Sequence, residues 1–112
     1  MLITITSIRL KSLFGFFSLS NHGRKISMQA KQSKGFVKMK NTGFGYEHFT
    51  MSVWENAEDR KAFYLAGAHK EAMKDSAKLA TELRFYTYEA DVLPRWKAAK
   101  ALLHEKGRLT KL

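Results

Sequence analysis

The stretch that decides the fold is "YEHFTMSVWENAEDRKAFYLAGAHKEAMKDSAKL", residues 46–79. Its first ten residues alternate with a period of two. Phe49, Met51 and Val53 take one face of a strand, and His48, Thr50, Ser52 and Trp54 take the other. A strand with large groups on both faces is covered on both sides. At Asn56 the period changes. Asn56 is a good N-cap residue, and Asp59 suits the first turn of a helix and its dipole. Phe63, Ala66, Met73, Ala77 and Ala80 then recur on one helical stripe, which predicts a single helix from Ala57 to about Leu79. Gly67 falls in the middle of that helix, where it costs about 0.5–1 kcal/mol against alanine.

Working outward, "LITITSI" at 2–8 is β-branched and partly alternating, which predicts a first strand. From about Ser12 to Lys31 a helix is expected, with Phe14, Phe17, Asn21 and Lys25 on one face. Leu13, Phe16, Phe17 and Leu19 make its entry apolar, and Gly35 is the expected C′ residue. "FVKMKN" at 36–41 reads as a second strand, and "NTGFG" at 41–45 supplies glycines for the turn into the third. "ELRFYTYEA" at 82–90 is a fourth strand, with Leu83, Phe85 and Thr87 opposite Arg84, Tyr86 and Tyr88. Pro94 precedes a last helix, "RWKAAKALLHEKG", whose apolar side is Trp96, Ala99, Leu102 and Leu103, and Gly107 ends it. The order β-α-β-β-α-β plus a C-terminal helix is α+β and ferredoxin-like. It implies a four-stranded antiparallel sheet with both crossover helices on one face. The other face would carry large apolar and aromatic groups, so a second copy of the sheet is its natural cover, making a homodimer.

The 112 residues suffice for one domain, 1–112, with a single core. There is no cysteine, which removes disulfides, thiolate catalysis and cysteine-based zinc sites together and is compatible with a reducing cytoplasm. The formal charge of +10 would ordinarily raise nucleic acid or an anionic surface. The eight bases of residues 1–46, which meet no acid, are spread out without a run, as on a solvated basic face. The N-terminal "LFGFFSL" imitates a targeting segment, but its apolar run is short and "LITITSI" stands where a basic leader should be, so it reads as part of the fold. Nothing approaches the ~18 apolar residues of a membrane span.

The segment "FTMSVWENAEDRKAFYLAGAHKEAM" resembles the antibiotic-biosynthesis-monooxygenase-like dimeric α/β-barrel superfamily. The likeness lies in a strand ending Trp54-Glu55, a capped acidic turn, the aromatic Phe63, and a small-residue break at Gly67 followed by His69. More particularly, residues from about Ile5 to Lys74 resemble spheroidene-monooxygenase-like proteins, with a basic helix leading to a turn that contains Gly35, Lys40, Gly43 and Gly45. The resemblance implies a homodimer of sheets forming a barrel. In each subunit a pocket between sheet and helices would serve cofactor-independent oxygenation of a reduced aromatic, haem binding, or simple holding of a small molecule. Haem is implied by the resemblance alone, and haem-degrading members carry their histidine at a position that here is about Lys74.

Each candidate site residue has two readings. Trp54 is either the wall of an apolar pocket or a packing residue at the sheet–helix junction. His69 is either a pocket acid/base or metal-type ligand, or a helix histidine with one backbone or solvent hydrogen bond. Six residues past Phe63, it lies about 120° round the helix, at the border of the apolar stripe. His48 shares the strand face of Trp54 but stands ~20 Å from it by strand rise. Tyr64, Tyr86 and Tyr88 are pocket hydroxyls or packing. No nucleophile elbow, phosphate loop or His/Asp/Glu cluster with metal spacing is present. The function that the resemblance implies is a monooxygenase-like protein. It takes a small hydrophobic, oxidisable ligand at His69, Trp54, His48, Phe63, Tyr64 and Tyr86. Two rivals remain: a non-catalytic binding or interaction protein, and more remotely a nucleic-acid platform built on Phe85, Tyr86 and Tyr88.

Overall fold

The β-branched run Ile3, Thr4, Ile5 and Thr6 is the middle of the molecule. In the computed structural model, which describes all 112 residues, the elements run β1 (Leu2–Leu10), α1 (Gly15–Lys31), β2 (Phe36–Phe44), β3 (Glu47–Trp54), α2 (Ala57–Tyr64), α3 (Gly67–Leu79), β4 (Ala80–Glu89), α4 (Trp96–Lys106) and β5 (Arg108–Lys111). The sheet order is β2-β3-β1-β4-β5, antiparallel throughout. β1 lies between β3 and β4, so Ile3 stands opposite Val53 and Tyr88, and Ile5 opposite Met51 and Tyr86.

This register sorts the side chains onto two faces. Ile3, Ile5, Met51 and Val53 are buried on one, against Ala99 and Leu103 of α4. Thr4, Ser52 and Trp54 belong to the other, where Trp54 packs with Ala30 of α1 and Phe63 of α2. The ferredoxin-like order read from the sequence holds, with both crossover segments on one face.

Five expectations are corrected. The sheet has a fifth strand, because the chain turns back after Gly107 and pairs with β4, Leu109 opposite Arg84. The face expected to be open is crossed by α4, where fully buried Ala99 lets the helix approach Ile3, Ile5 and Val53 closely. The helix expected over 57–79 is two helices, and α3 restarts with a different phase: Ser76 is buried while Met73 and Ala77 are exposed. The apolar entry of α1 is not buried, since Phe14 and Phe17 are 83% and 73% exposed and the helix packs instead through Ile26 and Ala30. Helix α1 also ends at Lys31 with Gln32 as its cap, so Gly35 lies beyond the C′ position. No helix is long and apolar enough to cross a membrane.

Candidate functional site

The break between α2 and α3 builds the site. Gly67 has φ +57°, a left-handed conformation that costs an L-residue about 1–2 kcal/mol. A Cβ added there would stand 2.9 Å from Oε1 of Gln29, which reaches over from α1. The close approach that Gly67 permits is therefore to α1. Gln29 closes the break: its Nε2 donates to the carbonyls of Phe63 (3.2 Å) and Ala66 (2.9 Å), and its Oε1 accepts the His69 N–H (3.0 Å). One side-chain amide thus ties the end of one helix to the start of the next, adding to the long backbone bonds from Ala66 N to the Phe63 carbonyl (3.3 Å) and from Lys70 N to the Ala66 carbonyl (3.4 Å).

Past the break, the His69 ring stands edge-on to Tyr64, with centroids 4.2 Å apart at 89°, and 5.3 Å from Phe63. These three residues line a cavity of about 150 Å³ between α1, α3 and the sheet, closed by Leu19, Ile26 and Met39. A wider cavity of about 450 Å³ continues toward β4 and β5, lined by Arg60 and Phe85, and shares Thr6, Tyr64, His69, Met73, Ser76 and Leu83 with the first. The Tyr64 hydroxyl reaches Ser52 Oγ at 3.4 Å.

Burial lowers the pKa of His69 from 6.5 to about 4; the Tyr64 backbone carbonyl offsets part of this, and the Arg60 charge adds to it. The imidazole is therefore neutral at physiological pH. Its Nδ1 is buried without a hydrogen-bond partner. Such an atom is costly in a folded protein unless something else meets it. The Arg60 guanidinium lies 4.6 Å from the Tyr64 ring centroid, and its Nε donates to Thr4 Oγ1 at 2.6 Å.

Among the residues singled out from the sequence, the structure brings Phe63, Tyr64 and His69 together. Trp54 is wholly buried, 4.9 Å from Phe63 and 5.6 Å from Phe36, so it stands behind the cavity wall and its Nε1 has no partner. His48 lies within 3.0 Å of the Gly45 carbonyl and lines a neighbouring cavity with Phe16, apart from His69. Tyr86 is on the opposite sheet face, stacked on Tyr88 at 5.4 Å and packed against the core under α4. Phe85 faces the cavity side, so the three aromatics of β4 form no single platform.

Sequence reasoning missed Gln29, Arg60 and His22. Arg60 was within reach, because it sits four residues before Tyr64 and so shares its helical face. His22 lines the inner cavity and meets Asp75 at 3.4 Å, a pairing between α1 and α3 that no local spacing announces.

No protein-family model and no curated protein sequence matches the chain. Solved structures do. A protein described as a "putative antibiotic biosynthesis monooxygenase" from Nitrosomonas europaea superposes with a TM-score of 0.73 at 12% identity, covering 82% of this chain and 100% of its own. One described in the same words from Deinococcus radiodurans gives 0.71 at 14% identity, over 85% and 97%. The chain has the antibiotic-biosynthesis-monooxygenase fold. SnoaB, a cofactor-independent oxygenase from Streptomyces nogalater, shares that fold at a TM-score of 0.65 and 12% identity, over 84% of this chain and 97% of SnoaB. At these identities the likeness concerns the fold alone.

Proposed function

We propose that the protein is a monooxygenase-like enzyme that takes a small, hydrophobic, oxidisable molecule into the cavity between sheet and helices, with His69 as proton acceptor. The observation that carries this reading is a neutral, buried imidazole with an unpartnered Nδ1 on the wall of a largely apolar cavity. Oxygenation without a cofactor requires an electron-rich substrate and a base. A methylene between aromatic rings that loses a proton gives a carbanion able to reduce O2 directly. One oxygen atom then ends as the carbonyl and the other leaves as water, so CH2 plus O2 becomes C=O plus H2O. Apolar walls exclude bulk water and strengthen the electrostatics within. Phe63, backed by Trp54, offers an aromatic wall, and the Tyr64 hydroxyl is a donor for the developing oxygen.

These side chains do not fit a haem. The His69 ring is hemmed by Phe63 and Tyr64, and a lysine, Lys74, occupies the position where the resemblance would put a ligating histidine. The same reading carries a homodimer, supported by the half-exposed Tyr86–Tyr88 stack that α4 does not fully cover. The second reading, a binding protein without turnover, is favoured by the weak basicity of an imidazole with a pKa of about 4.

Oxygen uptake with anthrone as the probe separates the readings. Uptake above the buffer rate that disappears in His69→Gln supports the enzyme. Binding without uptake supports the carrier, and absence of binding removes the cavity reading altogether.

A further inference from the structure

We propose that the ligand of this cavity is an anion, and that Arg60 is the residue that binds its planar oxyanion, a carboxylate or phenolate carried on an apolar aromatic body. This rests on the cavity reading above and deepens it. Arg60 has no acid to neutralise it. The ion pairs of the molecule are Arg9 with Glu47 and His22 with Asp75, and neither includes Arg60. Its own helix offers none: the positions three and four away are Ala57, Asn56, Phe63 and Tyr64, and the adjacent Asp59 is engaged by the Asn56 side chain at 2.9 Å.

The guanidinium is nevertheless held in place. Thr4 Oγ1 accepts from its Nε and is itself tied to Thr87 Oγ1 at 2.9 Å, while the Tyr64 ring lies against the cation. The Tyr64 ring contacts the cation and Thr4 takes its Nε. The Nη groups are left without a protein hydrogen-bond partner, and they present the parallel donors that fit a carboxylate in bidentate fashion. Among the side chains lining the 450 Å³ cavity, Arg60 alone has a permanent charge; Leu112, the last residue, also lines it, but its carboxylate forms no ion pair with Arg60. The rest of that lining, Met73, Leu83 and Phe85 with the hydroxyls of Thr6 and Ser76, suits an apolar ring. The aromatic body would lie between these and His69, its oxyanion on Arg60.

The test compares 2-naphthoate with its neutral methyl ester by calorimetric titration of the wild-type chain, Arg60→Met and Arg60→Lys. Near-ultraviolet circular dichroism checks that each variant keeps its packing. The expected result is naphthoate at least tenfold tighter than the ester in the wild type. Arg60→Met should lose that tenfold while ester affinity stays within twofold, and Arg60→Lys should retain only part of the preference. Equal affinities for the two compounds in the wild type would overturn the inference and leave the cavity reading standing. The same holds if Arg60→Met weakens both compounds alike. Binding of neither compound would overturn both.

Discussion

Replacing His69 by glutamine should flatten the pH dependence of stability. In the unfolded chain this imidazole takes a proton near pH 6.5; in the folded protein it does so only near 4, because burial disfavours the cation and Arg60 adds repulsion. Between those values the unfolded state binds more protons, so stability rises with pH. The contribution is fully present above about pH 6.5 and is lost as the pH falls toward 4. A tenfold change in proton affinity is worth about 1.4 kcal/mol, so by pH 4.5 the wild type should have lost about 2 kcal/mol from this group alone. In a chain of this size that is about 10 °C in Tm. Urea unfolding at pH 7 and pH 4.5 supplies the measurement, with the slope compared and not the level, since glutamine also changes packing against Tyr64. Every other group is common to the two proteins and cancels in the difference. Parallel stability curves for wild type and His69→Gln would refute the buried, neutral imidazole, and with it the proton-accepting role.

Trp54→Ala should cost about 3–5 kcal/mol, as for a fully buried indole, whereas Trp54→Phe should cost far less because it keeps a ring in that space, and removal of the unpartnered N–H, worth about 1–3 kcal/mol, then offsets much of the lost volume; equal losses in urea unfolding would contradict this. Gly67→Ala should destabilise by about 1–2 kcal/mol from its left-handed φ alone, while Gly23→Ala, helical with nothing within 4 Å of the added Cβ, should stabilise by about 0.5–1 kcal/mol. The two glycines moving the same way would show that the break is not where strain resides. Gln29→Ala, which removes three hydrogen bonds at the break, should cost about 2–3 kcal/mol and speed amide exchange at His69; unchanged exchange there would remove Gln29 as the latch. Sedimentation at micromolar concentration should give twice 12.9 kDa, and a stable 12.9 kDa species would remove the homodimer.

The sheet was legible because its information is local. Alternation in residues 2–8 and 48–54 assigns each side chain to a face, and β1 then needs only two antiparallel neighbours for Ile3, Val53 and Tyr88 to fall in register. The fifth strand was not legible, since "RLTK" is short, exposed and unpatterned, and exists because β4 has an edge to offer. The path of α4 was hidden for a related reason. Ala99 and Leu103 mark an apolar side, but nothing local says whether it meets this chain's own sheet or a second copy.

The site divides along the same line. Phe63, Tyr64 and His69 could be found because they lie within seven residues and an aromatic stripe points inward. The helix that was expected to carry them could not exist as one piece, and the reason lies about forty residues earlier in the chain. Glycine at position 67 permits a left-handed turn, but permission is not a driving force. Breaking a helix costs backbone hydrogen bonds at both new ends; long local bonds restore some of them, and the Gln29 amide, delivered by α1, is the side chain that offsets the rest. The wheel that put His69 about 120° from Phe63 assumed one continuous axis. With the axis broken, His69 returns to within 5.3 Å of Phe63 and takes Tyr64 as its neighbour. The position of the imidazole, its loss of water and hence its lowered proton affinity all follow from a contact between α1 and the α2–α3 break. A substitution at Gln29 should therefore act on His69 without touching it, moving its proton affinity back toward 6.5 as the cavity wall loosens. Titration of the His69 ring protons by NMR in Gln29→Ala reads this directly, and an unmoved midpoint near 4 would show that the sheet and Tyr64 suffice to bury the ring.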